Sequence, residues 1–179
     1  MYQKGEFIIY GSKGVCEITD ISTINLGSSK GMIKSDKNRL YYILCPMNDR
    51  EGKVFIPVDS EKTIMRRILS AEEAKELIEG ISEIENLWVT DERQREQNYR
   101  QAIGSCDCRE LVKVIKTLWE RNQQRLAQGK KITAMDKKYF KIAEDNLYSE
   151  LSLSLRIPQE QVRDYITEKV GAGNGECKE

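Results

Sequence analysis

Three short runs of β-forming residues, set between glycine-bearing turns in the first 58 residues, limit what this chain can fold into. Phe7-Ile8-Ile9-Tyr10 stops at Gly11-Ser12-Lys13-Gly14, where two glycines allow positive φ. Residues 15–24 then alternate around Cys16, Ile18 and Ile21, as a curved second strand does. Residues 27–38 read as a loop, rich in glycine, serine and charge. Residues 40–44 form a continuous apolar run between polar flanks and read as a buried central strand. A hairpin turn over residues 48–52 leads into Val54-Phe55-Ile56-Pro57, which closes the sheet, Pro57 fitting only at a strand end or edge. Strands this short and this closely spaced predict a small curled β-barrel of the SH3/Tudor type.

Beyond Val58 the periodicity becomes helical. Ser70 followed by Glu73 forms a capping box ahead of Ala74, Leu77 and Ile78, with Gly80 as the stop. Residues 81–88 read as a linker. Thr90-Asp91 caps a helix over 92–103 that ends at Gly104. Asp107 caps the next, in which Leu111, Ile115, Leu118 and Trp119 share one face and Trp119 reads as core. After a turn at Gln128-Gly129-Lys130-Lys131, a long helix over 133–152 buries Met135, Tyr139, Ala143, Leu147 and Leu151. Pro158 opens a final helix through Val162, Ile166 and Val170. The fold class is therefore α+β, a barrel domain over 1–66 and a helical domain over 67–170. A polar tail over 171–179 is expected to be disordered.

Composition narrows the chemistry. Histidine is absent, which removes the most common general base and argues against a hydrolase triad. Neither a G-x-x-x-x-G-K-[ST] nor a G-x-G-x-x-G phosphate loop occurs. Five cysteines are scattered, and Cys106-Asp107-Cys108 has no second Cys/His pair to complete a zinc site. No enzymatic activity, metal or cofactor is expected. Apolar runs fall far short of the roughly 20 residues that span a bilayer, and the N-terminus carries no apolar signal region, so a cytoplasmic protein without a membrane partner is expected.

The formal charge of zero conceals a segregated pattern. Residues 1–67 carry +3, residues 68–92 carry −7, residues 93–143 carry +8 and residues 144–179 carry −4. A basic helical stretch is the footprint of phosphate binding, because each cation near a phosphate releases counterions. The alternative is a solvated helix face held by i,i+4 ion pairs.

The N-terminal runs resemble the N-terminal module of the CarD/CdnL family of bacterial transcription regulators. Ser105-Cys106-Asp107, followed by Leu111-Val112-Lys113-Val114-Ile115 and Leu118-Trp119-Glu120-Arg121-Asn122, is similar to the family's helix after its S-G-D turn. Ile132-Thr133-Ala134-Met135-Asp136-Lys137-Lys138 is similar to the family's L-S-x-x-E-K-x helix start, and residues 143–151 to its A-x-x-x-L-x-x-E-L ending. The resemblance covers roughly residues 2–153 and implies a module that binds the β subunit of RNA polymerase, joined to a helical domain that binds upstream promoter DNA.

The resemblance also implies sites. The family wedges a tryptophan into the minor groove just before its first basic helix, and here Trp88 precedes Arg93, Arg95 and Arg100. Counting back from Asp107 without gaps puts Glu92 at that position, so either the linker is four residues longer here or Trp88 is a packing residue. Lys137 and Lys138 match the family's phosphate-contacting helix start, where the macrodipole also favours an anion. Arg121 and Arg125 are placed either to touch phosphate or to cap their own helix. On the barrel, Ile24, Lys53, Phe55 and Pro57 mark the polymerase-facing strands. Ile24 and Phe55 stand where the family often has arginine, leaving strand pairing and apolar packing as the means of contact, or both side chains pointing into the barrel.

These readings give a monomeric transcription regulator that modulates open-complex stability. The competing class is a protein-interaction adaptor with a Tudor-like module and no DNA binding.

Overall fold

The computed structural model of the protein describes residues 1–23, 39–60, 64–87, 89 and 91–173. Strands β1 (Phe7–Tyr10), β2 (Gly14–Thr23), β3 (Leu40–Pro46), β4 (Val54–Pro57) and β5 (Met65–Arg67) precede helices α1 (Ala71–Glu79), α2 (Arg95–Gly104), α3 (Cys108–Ala127), α4 (Ala134–Leu155) and α5 (Gln159–Gly173). The architecture is α+β, as the sequence predicts. The strands form one antiparallel sheet in the order β4-β3-β2-β1-β5.

The sheet is open, which corrects the expectation of a closed barrel. β4 and β5 are its two edges and do not hydrogen-bond to each other. With four and three residues, neither edge offers the tilted, staggered ladder that closure needs. β5 is also an element the sequence did not reveal. Met65-Arg66-Arg67 has no alternating pattern, and it is a strand because the backbone pairs with β1, Ile9 opposite Arg66.

The sheet buries both faces where β1 and β2 meet. On one face Ile8, Cys16, Ile18, Tyr42, Leu44 and Ile56 form the sheet's own core. On the other, Ile9 and Val15 pack with Cys106 from the helical half. Adjacent isoleucines at positions 8 and 9 thus serve opposite faces, as a period of two dictates. A register shift between Ile18 and Asp20 marks a bulge that bends β2 over the core.

The helical half has a larger core, in which Ala74, Ile78, Tyr99, Val114, Leu118, Ala143, Leu151 and Val162 lie deepest. Side chains close the helix starts, at Ser70 and Asp107 as read from sequence and at Thr133 as well. Ser70 and Glu73 form the capping box of α1, Asp107 accepts the Arg109 N–H at 2.8 Å, and Thr133 accepts the Asp136 N–H at 3.0 Å. The Arg67 guanidinium beside Glu73, helped by the Ser70 N–H, holds that carboxyl down to about 2. The helix expected over 92–103 begins as a 3-10 turn at Glu92–Gln94, capped by Asp91, before α2 proper. α5 runs on to Gly173, three residues into the segment expected to be a disordered tail, and residues 174–179 lie outside the described residues.

Sheet and helices are joined by polar contacts around β5 and α4. Arg66 Nη2 donates to Glu150 Oε2 at 2.9 Å, while Glu150, only 1% exposed, also accepts the Leu69 N–H at 3.0 Å and the Cys108 thiol at 3.0 Å. The Arg66 Nε reaches the Cys106 carbonyl. A second tie runs from the Gly11–Lys13 turn: the Gly11 N–H points at Cys106 Sγ at 3.0 Å, and Asn146 Nδ2 donates to the Ser12 carbonyl at 3.4 Å. Gly14 completes this tie. Its φ is +69°, and a Cβ there would stand 2.8 Å from Asn146 Cγ. Gly14→Ala is therefore expected to lower stability by about 2 kcal/mol, or roughly 6 °C in Tm, from backbone strain and the clash with α4. Thermal denaturation checks this, and an unchanged Tm would contradict the close approach.

Candidate nucleic-acid and polymerase surfaces

Two of the polymerase-facing residues predicted from sequence, Phe55 and Pro57, fall on the edge strand β4. Phe55 is paired with Ile43 in register and is 45% exposed, whereas its neighbour Ile56 is 2% exposed. The alternation therefore sends Phe55 outward and excludes the reading in which it fills the sheet's interior. Lys53 is exposed beside it, and Pro57 is half-buried at the strand end opposite Tyr41. Among the described residues no strand pairs with the outer side of β4, so its backbone groups there are open to a partner strand. Ile24 lies outside the described residues.

The cations of the helical half predicted to contact DNA divide into two groups. Arg95 and Arg121 are committed to the fold. Arg95 is 8% exposed, pairs with Glu92 and donates to Tyr99 Oη at 2.8 Å. Arg121 bridges Glu92 at 3.2 Å and Asp136 at 3.2 Å. Asp136 is fully buried and its second oxygen has no hydrogen-bond partner, so Arg121 is the charge that keeps it tolerable in the interior. This web ties the start of α2 to α3 and α4, and it removes both arginines from the phosphate-contacting set. Arg125, placed to touch phosphate or cap its helix, donates to the Lys131 carbonyl at 3.0 Å, in the loop beyond the end of α3.

The second group faces solvent. Arg93 and Lys137 are exposed, and neither side chain has an ion-pair partner among the described residues. Lys138 is exposed, its ammonium 5.2 Å from the centre of the Tyr139 ring. Arg100 is held by Tyr139 Oη at 2.8 Å and Glu96 Oε1 at 2.7 Å, with a side chain still 66% exposed. The same Tyr139 hydroxyl and Arg100 guanidinium keep the Glu96 carboxyl below its usual range, so one negative charge sits behind this pair.

Trp88 lies outside the described residues. The chain leading to it is pinned to α3. The Leu87 N–H donates to Thr117 Oγ1 at 2.8 Å, and the Lys116 ammonium gathers the carbonyls of Ile81, Ser82 and Ile84. Trp119, which the helical stripe placed in the core, is 56% exposed. Periodicity gives the face of a helix but not how far along it the neighbours reach. α3 outruns its cover, and Leu126, two turns on from Trp119, is 52% exposed.

Cys16, Cys106 and Cys108 behave as packing residues. Burial, then proximity to Cys45, pushes the Cys16 thiol up to about 12, and burial likewise raises Cys106 and Cys108. Thiols so placed are poor nucleophiles. No group of three or more potential metal ligands occurs among the described residues.

Sequence reasoning passed over three residues that matter here. Arg66 and Glu150 carry the junction, yet Arg66 sits in a strand without a pattern and Glu150 resembles any helix carboxylate. Lys13 read only as part of a turn, and its position beside α2 and α4 depends on contacts more than 90 residues away in sequence.

Compared with known families, the chain matches the CarD-like/TRCF RID domain over residues 2–69 and the CarD C-terminal domain over residues 76–167. Among curated proteins compared as whole sequences, none matches. The two matches occur in order, the first over the sheet and the second over the helices, and together they span most of the chain. The chain belongs to the CarD-like family of RNA-polymerase-interacting transcription factors.

Proposed function

We propose that this protein binds the β subunit of RNA polymerase through the β4 edge of its sheet and upstream promoter DNA through the exposed cations of α2, of the turn before it and of α4, thereby modulating open-complex stability. The observation that carries the reading is Phe55, a large aromatic turned out of an otherwise alternating edge strand. An open edge offers main-chain hydrogen bonds to a partner strand, and an outward aromatic beside it supplies apolar anchorage. Lys53 and Pro57 flank that anchor, and Ile24 belongs to the same proposed surface. Without arginines at Phe55 and Ile24, the contact relies on packing more than on electrostatic steering.

On the DNA side the set is Arg93, Arg100, Lys137 and Lys138, with Trp88 as the proposed minor-groove wedge. Phosphate contacts of this kind position a protein without reading sequence. The protein acts in this reading as a cytoplasmic monomer. The adaptor reading retains one supporting observation, the exposure of Trp119 and Leu126 on one face of α3, which offers a surface for a protein partner.

Two measurements separate these readings. Phe55→Ala is expected to weaken binding to purified RNA polymerase by about 2 kcal/mol, roughly thirtyfold, with the circular dichroism spectrum unchanged. Unaltered affinity would remove β4 from the interface. In salt titrations with duplex DNA, Lys137→Gln is expected to weaken binding and to flatten the slope of log K against log salt by about 0.9. DNA binding that is absent or independent of salt would favour the adaptor.

A further inference from the structure

Three cations from three separate elements converge on one cleft at the junction of sheet and helices. Lys13 comes from the turn between β1 and β2, Arg100 from α2 and Lys138 from α4, around a volume of about 410 Å³. No carboxylate lines the cleft, and Ile103 and Ile142 contribute apolar wall. Glu96, outside the lining, is engaged by Arg100 and by Tyr139 Oη. Like charges gathered in this way do not help the chain fold, since their mutual repulsion opposes it. Arg95 and Arg121, by contrast, each have carboxylate partners.

The cleft is built, not fortuitous. The turn that carries Lys13 is fixed by the Gly11 N–H to Cys106 Sγ and by Asn146 to the Ser12 carbonyl. Cys106 itself adopts φ +62°, a conformation costly for a residue with a Cβ, so its thiol is held there by the contacts it makes with the turn. Arg100 is oriented through its Nε and Nη2, which leaves Nη1 without a hydrogen-bond partner among the described residues. Lys13 has no ion-pair partner among the described residues either.

We infer that this cleft is a phosphate subsite spanning the two halves of the molecule, with Lys13, Arg100 and Lys138 as its donors, and that it holds a backbone phosphate of bound DNA. The inference rests on the DNA-binding reading above and extends it. The sheet domain, not the helical domain alone, contributes to the DNA footprint, and the path of the DNA crosses the junction. A free phosphorylated small molecule would present the same chemistry, and the test distinguishes the two sources.

The experiment measures duplex DNA binding by fluorescence anisotropy over a salt series for the intact protein, Lys13→Gln, Lys13→Arg and Lys137→Gln. A parallel arm titrates pyrophosphate while following the Ser12 and Gly104 amide signals by NMR. The expected result is a loss of affinity of about three- to tenfold for Lys13→Gln, with a salt slope shallower by about 0.9, and near-complete retention of both in Lys13→Arg. If Lys137→Gln weakens binding but Lys13→Gln leaves affinity and slope as in the parent, the subsite is overturned while the DNA-binding reading stands. If the parent protein shows no salt-dependent binding, both fall together. If pyrophosphate saturates the Ser12 and Gly104 signals at micromolar concentration while Lys13→Gln binds DNA normally, the cleft belongs to a free phosphorylated ligand and the backbone assignment is overturned.

Discussion

The Arg66–Glu150 pair is the constraint on which the molecule depends. Glu150 is buried in α4, and Arg66 reaches it from the edge strand β5 while also holding the Cys106 carbonyl and the Cys108 sulfur. A buried ion pair adds little net stability over a well-packed apolar pair, because both charges lose their hydration. Its value is in geometry. Removing Arg66 leaves the buried Glu150 carboxylate uncompensated at a cost of about 3–5 kcal/mol, so alternative dockings of sheet on helices that break the pair are disfavoured. The Leu69 N–H on the same carboxylate extends the constraint to the entry of α1.

Once that docking is fixed, the charge pattern of the chain acquires meaning. The excess of cations in residues 93–143 is not one surface. Part of it is spent inside the web of Glu92, Arg95, Arg121 and Asp136, which holds the start of α2 against α3 and α4. Arg100 of α2 and Lys138 of α4 stay exposed, and the turn carrying Lys13 is brought to the same place. The proposed function, with polymerase on the sheet and DNA on the helices, calls for a stiff connection, and here one tie between the halves and one proposed DNA contact share the same turn.

Much of this was legible in the sequence, and the gaps have physical reasons. The helix starts at Ser70 and Asp107 were readable because capping is local chemistry, each accepting an N–H within three residues. β1 to β4 were readable because alternation and turn residues are local too. β5 was hidden, since three residues with two arginines become a strand only by pairing with β1. Closure of the sheet was expected and does not occur, because closure is a property of edge lengths and stagger and not of any one strand. Trp119 was misread because a stripe on a helical wheel says nothing about where the covering helices end. The division of arginines into structural and exposed could not be read from a run of charge, because Glu92 and Asp136 lie 29 and 15 residues from Arg121.

The central claim is that one rigid chain connects polymerase to promoter DNA and thereby changes how long the melted promoter persists. The lifetime of open complexes formed by RNA polymerase on native promoters, measured after competitor challenge with and without the intact protein, tests it most directly. A dissociation rate that changes at least about twofold, with the change abolished at high salt, is the predicted result. Lifetimes that stay the same on every promoter at saturating protein would contradict it.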